Sequence, residues 1–420
     1  MFPVEYIIDL QLNYCYNNRR GIKLKASLEC KESSYILRFH VQSDYSDIIS
    51  FDTRDMVSKK VKSTFRIYKA FIDNKEVDVK WEDAIITHIE TLWEQGKSET
   101  QWAFTIDSFK VTIPNDKSSF QNQDERTKWF LSQNIFVLRH LKLKQSDFDS
   151  NKNVYVPQYY TIDGTRYGLC QDMNLNYPVL YSNSEDKKSL VKFLKCLSFF
   201  YGCDISGWLL EETKDDAIVY SYCTKSIIPQ NITCSQLWDY YRTDTGKRIT
   251  LESFISSVNG AIGNMEAEKV SILFKSIRCF TNSLNASAQH KLTDYCAIIL
   301  SVAQFMHKFT HSQDIELAKA INEMVGIDYK KLNGDLCEKG FHRTNDNNKG
   351  INNYIELRHE VIHGLPSDEI LGYLDNSFIV NRLEHATFLT ILYECGLNNI
   401  QYTRPFQEFN VLLKDTEYRI

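Results

Sequence analysis

At 420 residues the chain is long enough for two or three domains, each with its own core. Hydrophobic residues make up 43% and charged residues 25%, the balance of a water-exposed globular protein, and with 7 Pro and 16 Gly long disordered linkers are not expected. The formal net charge of −5 excludes a molecule-wide positive field, although a nuclease that grips a few phosphates does not need one.

The opening Met1-Phe2-Pro3-Val4-Glu5-Tyr6 has no basic stretch followed by an apolar run, so a secretory leader is not expected. The longest apolar stretches, such as Cys296 to Met306, fall short of a membrane span. The 11 Cys are odd in number and show no C-x-x-C pair. These features point to reduced thiols in a cytoplasm and to no membrane partner.

Up to about residue 185 the chain reads as β-rich. Alternating runs rich in aromatic and β-branched residues recur at Ile22 to Cys30, Tyr35 to Val41, Phe65 to Ile72, Trp102 to Ile106, Phe109 to Ile113 and Tyr155 to Ile162. Asp73-Asn74 and Asp163-Gly164 read as turns. A sandwich or barrel-like domain over 1–185 is expected, serving recognition. Residues 186–240 read as an α/β connecting layer, with a helix from Lys187 to Tyr201 and strands Ile205 to Leu210 and Ala217 to Cys223.

From about Thr250 the period becomes helical, and 241–420 reads as a helical bundle, giving an α+β chain overall. Val270, Leu273, Phe274, Ile277, Phe280 and Leu284 line one helix face. Leu292, Cys296, Ile299, Leu300, Ala303 and Met306 line a second. A third helix runs from about Ile315 to Val325 and stops at Gly326. Ile370, Leu374, Phe378, Leu383, Ala386, Leu389 and Tyr393 predict one long final helix, opened by Ser367. The polar, Asn-rich stretch Glu338 to Asn353 reads as a mobile loop.

The chemistry concentrates in Asn353-Tyr354-Ile355-Glu356-Leu357-Arg358-His359-Glu360-Val361-Ile362-His363-Gly364-Leu365-Pro366. Asn353 followed by Glu356 predicts a helix start, and Gly364 with Pro366 predicts its end. Metal-free RNA cleavage needs a group able to move protons at the ribose 2′-hydroxyl and the leaving 5′-oxygen, which suits His. It also needs a permanent cation on the phosphate, which suits Arg. On an ideal helix Arg358 and His363 stand about 140° apart, so the Arg stem, the helix end and a second copy would have to bring them together.

Arg358-His359-x-x-x-His363 resembles the R-(polar)-x(3 or more)-H signature of HEPN domains, and Leu357 to Gly364 is similar to the motif of ApeA-like HEPN proteins of bacterial anti-phage defence. The resemblance covers about 170 residues in pattern but only about eight in sequence detail. It implies a helical HEPN bundle that dimerises, an activity of metal-independent endoribonuclease with no cofactor, and products with 2′,3′-cyclic phosphate and 5′-hydroxyl ends. It further implies Arg358 as phosphate binder, His363 as acid and base, and His359 as an orienting group. RNA is then the substrate, and the front half is expected to receive a phage-derived trigger.

Two alternatives stay open. A HEPN module can bind a partner without catalysis. The same residues also spell H-E-x-x-H, with His359 and His363 as zinc ligands, Glu360 as general base and Glu384 as a third ligand. Against zinc stand the charged Arg358 before the first His, and Phe388 where an Asp is expected. Lys330, Lys331, Lys339, His342, Arg343 and Lys349 form a basic cluster able to track an RNA backbone, or simply to be solvated. Phe341 and Tyr354 are able to stack on a base or to pack in a core. Thr245-Gly246-Lys247-Arg248 ends like a phosphate loop, but Tyr241 stands where its first Gly belongs. His307 and His311, four apart at a helix end, read as structural.

Overall fold

A computed structural model describes residues 4–10, 22–31, 34–42, 65–72, 75–77, 80–92, 99–114, 124–132, 148–149, 154–155, 157–172, 177–214, 217–223, 237–243, 245–309, 312–334, 336, 342–343, 346–363, 368–376, 378–398 and 400–402. The fold is α+β, with antiparallel sheet and helices. The chain forms two compact units. The first comprises Met1–Tyr159, Arg166–Lys187 and Ser206–Pro229, and the second Tyr160–Thr165, Lys188–Ile205 and Gln230–Ile420.

The strands of the large sheet are β1 (Val4–Leu10), β2 (Ile22–Lys31), β3 (Ser34–Gln42), β4 (Phe65–Ile72), β5 (Lys75–Val77), β6 (Lys80–Leu92), β7 (Glu99–Pro114), β8 (Thr127–Leu131), β9 (Phe148–Asp149), β10 (Val154–Tyr155), β11 (Gln158–Ile162), β12 (Thr165–Asp172), β13 (Tyr177–Ser182), β14 (Gly207–Lys214) and β15 (Ala217–Cys223). They join in the order β5-β4-β1-β2-β3-β7-β15-β14-β8-β13-β12-β10-β9, with β6 on β7 and β11 on β12. The path has two free ends, so among the described residues it does not close as a barrel would. Trp102 to Ile106 and Phe109 to Ile113 lie in one 16-residue strand rather than two. Burial follows the pleat: Ala26 and Leu28 on β2 and Tyr35 and Leu37 on β3 turn inward. Tyr35, Phe109 and Tyr222 form an aromatic cluster, with the Tyr35 and Tyr222 rings 4.7 Å apart. The Asp163-Gly164 turn takes positive φ at both residues (52° and 73°), as a two-residue hairpin requires. Asp73-Asn74 lies outside the described residues.

The longer helices of the second unit are α1 (Lys187–Tyr201), α2 (Leu251–Ile262), α3 (Ala267–Ser283), α4 (Ala288–Ser301), α5 (Gln313–Lys319), α6 (Tyr354–His363), α7 (Asp368–Asn376) and α8 (Phe378–Glu394). Thr250 opens α2 with a capping box. Its hydroxyl accepts from Ser253 N at 3.1 Å, and the Ser253 hydroxyl accepts from Thr250 N at 2.9 Å. α4 and α5 run on into π-turns at Val302–Met306 and Ala320–Val325, and Gly326 closes the second at φ 75°. The long final helix read from the sequence is two, α7 and α8, on either side of position 377; Ser367 lies outside the described residues.

The segment 186–240, read as one connecting layer, divides between the units. β14 and β15 pair in the sheet, whereas α1 supplies the centre of the helical core. The Phe199 ring lies 5.3–5.7 Å from the rings of Trp238, Phe254, Phe280 and Phe388. The periodicity of α1 marks it as amphipathic but carries no address for its apolar face. Close by, His385 is buried and shares a 2.6 Å hydrogen bond between its Nδ1 and the Tyr241 hydroxyl.

Phe199→Ala should destabilise the second unit by about 3–5 kcal/mol, the cost of a buried aromatic cavity; a denaturant midpoint equal to wild type would show that Phe199 is not central. Burial lowers the His385 pKa from 6.5 to about 4. Between those values the unfolded chain holds the extra proton, so this contribution is complete above pH 6.5 and is lost as pH falls towards 4, about 3 kcal/mol in all. His385→Gln should flatten that part of the stability profile measured by urea titration.

Candidate active-site helix

Helix α6 starts where the sequence predicts. The Asn353 side-chain oxygen accepts from Glu356 N at 2.8 Å, and the Glu356 carboxylate accepts from Asn352 N at 2.9 Å. Ahead of it, the stretch expected as a mobile loop carries a short hairpin in which His342–Arg343 pairs with Asp346–Gly350. Arg343 reaches Glu356 at 3.2 Å, which ties the hairpin to the first turn of α6.

One face of α6 is core. Tyr354, Leu357 and Glu360 are buried at i, i+3 and i+6, and α6 packs on α4 and α5. The Tyr354 hydroxyl donates to the Ile379 carbonyl at 3.0 Å, and its ring is 0% exposed. Tyr354 is therefore a core residue, which corrects its candidacy as a stacking surface for RNA.

The opposite face carries the two histidines. His359 and His363 are exposed, with ring centroids 4.7 Å apart and planes inclined at 55°. Between the faces sits Arg358, half-buried, whose Nε is shielded from solvent and lacks a hydrogen-bond partner among the described residues. A buried guanidinium nitrogen without an acceptor carries a desolvation cost that an anion would relieve. Its charge reaches Cys296 on α4, whose thiol burial pushes up to about 12 while Arg358 pulls the other way.

The structure thus brings His359 and His363 together and sets Arg358 on the flank beside them. The sequence reading gave His359 only an orienting part; its i, i+4 spacing from His363 already signalled the contact. Of the basic cluster, His342, Lys349 and Lys330 are exposed and Arg343 is paired with Glu356. Lys339 and Phe341 lie outside the described residues, as does the Lys331 side chain.

The zinc set does not assemble. Glu384 accepts from the Tyr295 hydroxyl at 2.7 Å and from Lys291 Nζ at 3.1 Å, joining α8 to α4. Glu360 is buried, whereas the two imidazoles are exposed. Among the described residues no three His, Cys, Asp or Glu gather as metal ligands. His307 is engaged with Glu394 at 2.5 Å, and His311 lies outside the described residues. Thr245 to Arg248 belongs to a turn whose Thr243 and Gly246 N–H groups bond within it at 2.8 Å, so it offers those donors to no phosphate. No helix among the described residues is long and apolar enough to cross a membrane.

No family model, curated protein or solved structure matches this chain.

Asn353→Ala should cost about 1 kcal/mol of local stability at the start of α6. Hydrogen exchange at the Glu356 amide reports it, and unchanged protection there would discount the cap.

Proposed function

We propose that the helical unit is a HEPN-type, metal-independent endoribonuclease that works as a homodimer in bacterial defence against phage. The observation that carries this reading is the make-up of α6: two exposed, touching imidazoles flanked by an arginine whose Nε lacks an acceptor. That is the equipment for cleaving RNA through its own 2′-hydroxyl. The 2′-oxygen bonds to phosphorus as the bond from phosphorus to the 5′-oxygen breaks, leaving a 2′,3′-cyclic phosphate and a 5′-hydroxyl. An imidazole takes the 2′-hydroxyl proton, and an imidazolium returns one to the departing 5′-oxygen. His363 serves as acid and base, His359 positions it, and Arg358 neutralises the charge that grows on the phosphate. Facing copies of α6 would supply the second set of groups and close the angular gap on a single helix. Under this proposal the sheet-bearing unit receives the phage-derived trigger.

Purified protein incubated with total RNA in EDTA should produce cuts ending in cyclic phosphate and 5′-hydroxyl. Arg358→Ala and His363→Ala should each reduce the rate by about 10²-fold or more while leaving the oligomeric state intact. His359→Ala should cost less. Absence of cleavage, or cleavage indifferent to both changes, overturns the nuclease reading. Phage restriction undiminished in Arg358→Ala would instead support a module that acts by binding alone.

A further inference from the structure

The two histidines of α6 have the spacing of a chelate. His359 and His363 stand one turn apart on its exposed face, with ring centroids 4.7 Å apart. Among the described residues neither ring makes a hydrogen bond or an ion pair, whereas His290, His307 and His385 are engaged with Ser287, Glu394 and Tyr241. Two imidazoles on one zinc ion place their ligating nitrogens about 3.4 Å apart, as bonds of about 2.0–2.1 Å at a tetrahedral angle require. Exposed rings at the observed separation reach that spacing when each turns one nitrogen towards the other.

The charges around the pair act in both directions. Arg358 flanks it, half-buried, and opposes a cation. Against that, His363 is the last residue of α6, and the carbonyl end of a helix favours positive charge. Glu356 lies one turn before His359 but is taken up by Arg343 at 3.2 Å and by the Asn352 amide at 2.9 Å, and Glu360 is buried. The helix thus offers two nitrogen ligands and leaves the other coordination positions to water. Imidazole ligands select borderline ions such as Zn²⁺, Ni²⁺ and Cu²⁺ over Mg²⁺ or Ca²⁺, which take oxygen.

We propose that His359 and His363 form a chelating site for one borderline divalent transition-metal ion of the Zn²⁺ class. It is distinct from the hydrolytic zinc set, because it recruits neither Glu360 nor Glu384. Its consequence for cleavage rests on the nuclease reading: a nitrogen lone pair bound to metal cannot take the proton of a 2′-hydroxyl, so the ion is a reversible inhibitor.

The test titrates the full-length protein, stripped with EDTA and desalted, with ZnCl₂ by calorimetry, and MgCl₂ serves as the control ion. Zn²⁺ should bind and slow diethylpyrocarbonate modification of His359 and His363, mapped by mass spectrometry; Mg²⁺ should do neither. His359→Ala and His363→Ala should each weaken this binding about tenfold or more, because the second ligand of a chelate acts at high effective concentration. Both side chains are exposed, so neither change removes core packing. His359→Ala with Ile362→His keeps two imidazoles on α6 but not one turn apart, and it should bind no better than His359→Ala. No protection of the two rings, or affinity unchanged in the single variants, overturns the site. In the RNA assay Zn²⁺ should slow wild-type cleavage and EDTA should restore it; cleavage at full rate with the site filled overturns the inhibition. Zn²⁺ bound through both rings in a protein that cuts no RNA upholds the site and removes the nuclease reading, and the inhibition with it.

Discussion

Which side chains α6 turns outward follows from how that helix is held. Tyr354, Leu357 and Glu360 face inward, and the Tyr354 hydroxyl is fastened to the Ile379 carbonyl of α8. A ten-residue helix buried along one stripe has little choice about what its other residues do. His359 and His363 are turned outward because the inward positions are taken, and Arg358 falls at the boundary. The Asn353 cap and the Arg343–Glu356 bridge fix where the helix begins and hence the rotation of every residue after it. In a helix so constrained, the imidazole contact is a product of packing on the far side.

The helical core imposes a second constraint. Phe199 arrives from α1, well before the other helices in the chain, and is surrounded by aromatic rings from α2, α3, α8 and the short turn bearing Trp238. Tyr295 and Lys291 of α4 both grip Glu384 of α8. α4 is thus fixed to α8 on one side and offers its surface to α6 on another. The position of the histidine pair therefore depends on aromatic packing and on a carboxylate that the zinc alternative would have used for a metal.

Local order was legible in the sequence wherever it is written in local chemistry. Helix α1 falls on the residues read for it, the Asn353 cap opens α6, Gly326 ends the second π-turn, and Asp163-Gly164 makes its turn. What the sequence does not carry is the address of each apolar face. Nothing local distinguishes a connecting helix from one whose Phe199 centres a core, and nothing local shows that β14 and β15 extend a sheet begun 200 residues earlier. Strands such as Lys80–Leu92 escaped because their alternation is broken by shifts in register against β7. The α6 motif itself was legible, down to the i, i+4 imidazoles, but which side chains it would bury was not. Glu360 and Tyr354 were sorted by the packing of α4, α5 and α8 rather than by spacing.

The interleaving of the two units along the chain has its own consequence. Residues 160–165 and 188–205 belong with the helices, while 166–187 and 206–229 belong with the strands. No single peptide-bond scission can detach one unit whole from the other, because every such cut leaves at least one fragment bearing parts of both. Under the defence proposal, one clip could not free the helical unit whole from the strands. A truncation begun at 241 would likewise discard Phe199 and Trp238, so an inert fragment of that kind would speak to a gutted interior and not to a missing sensor.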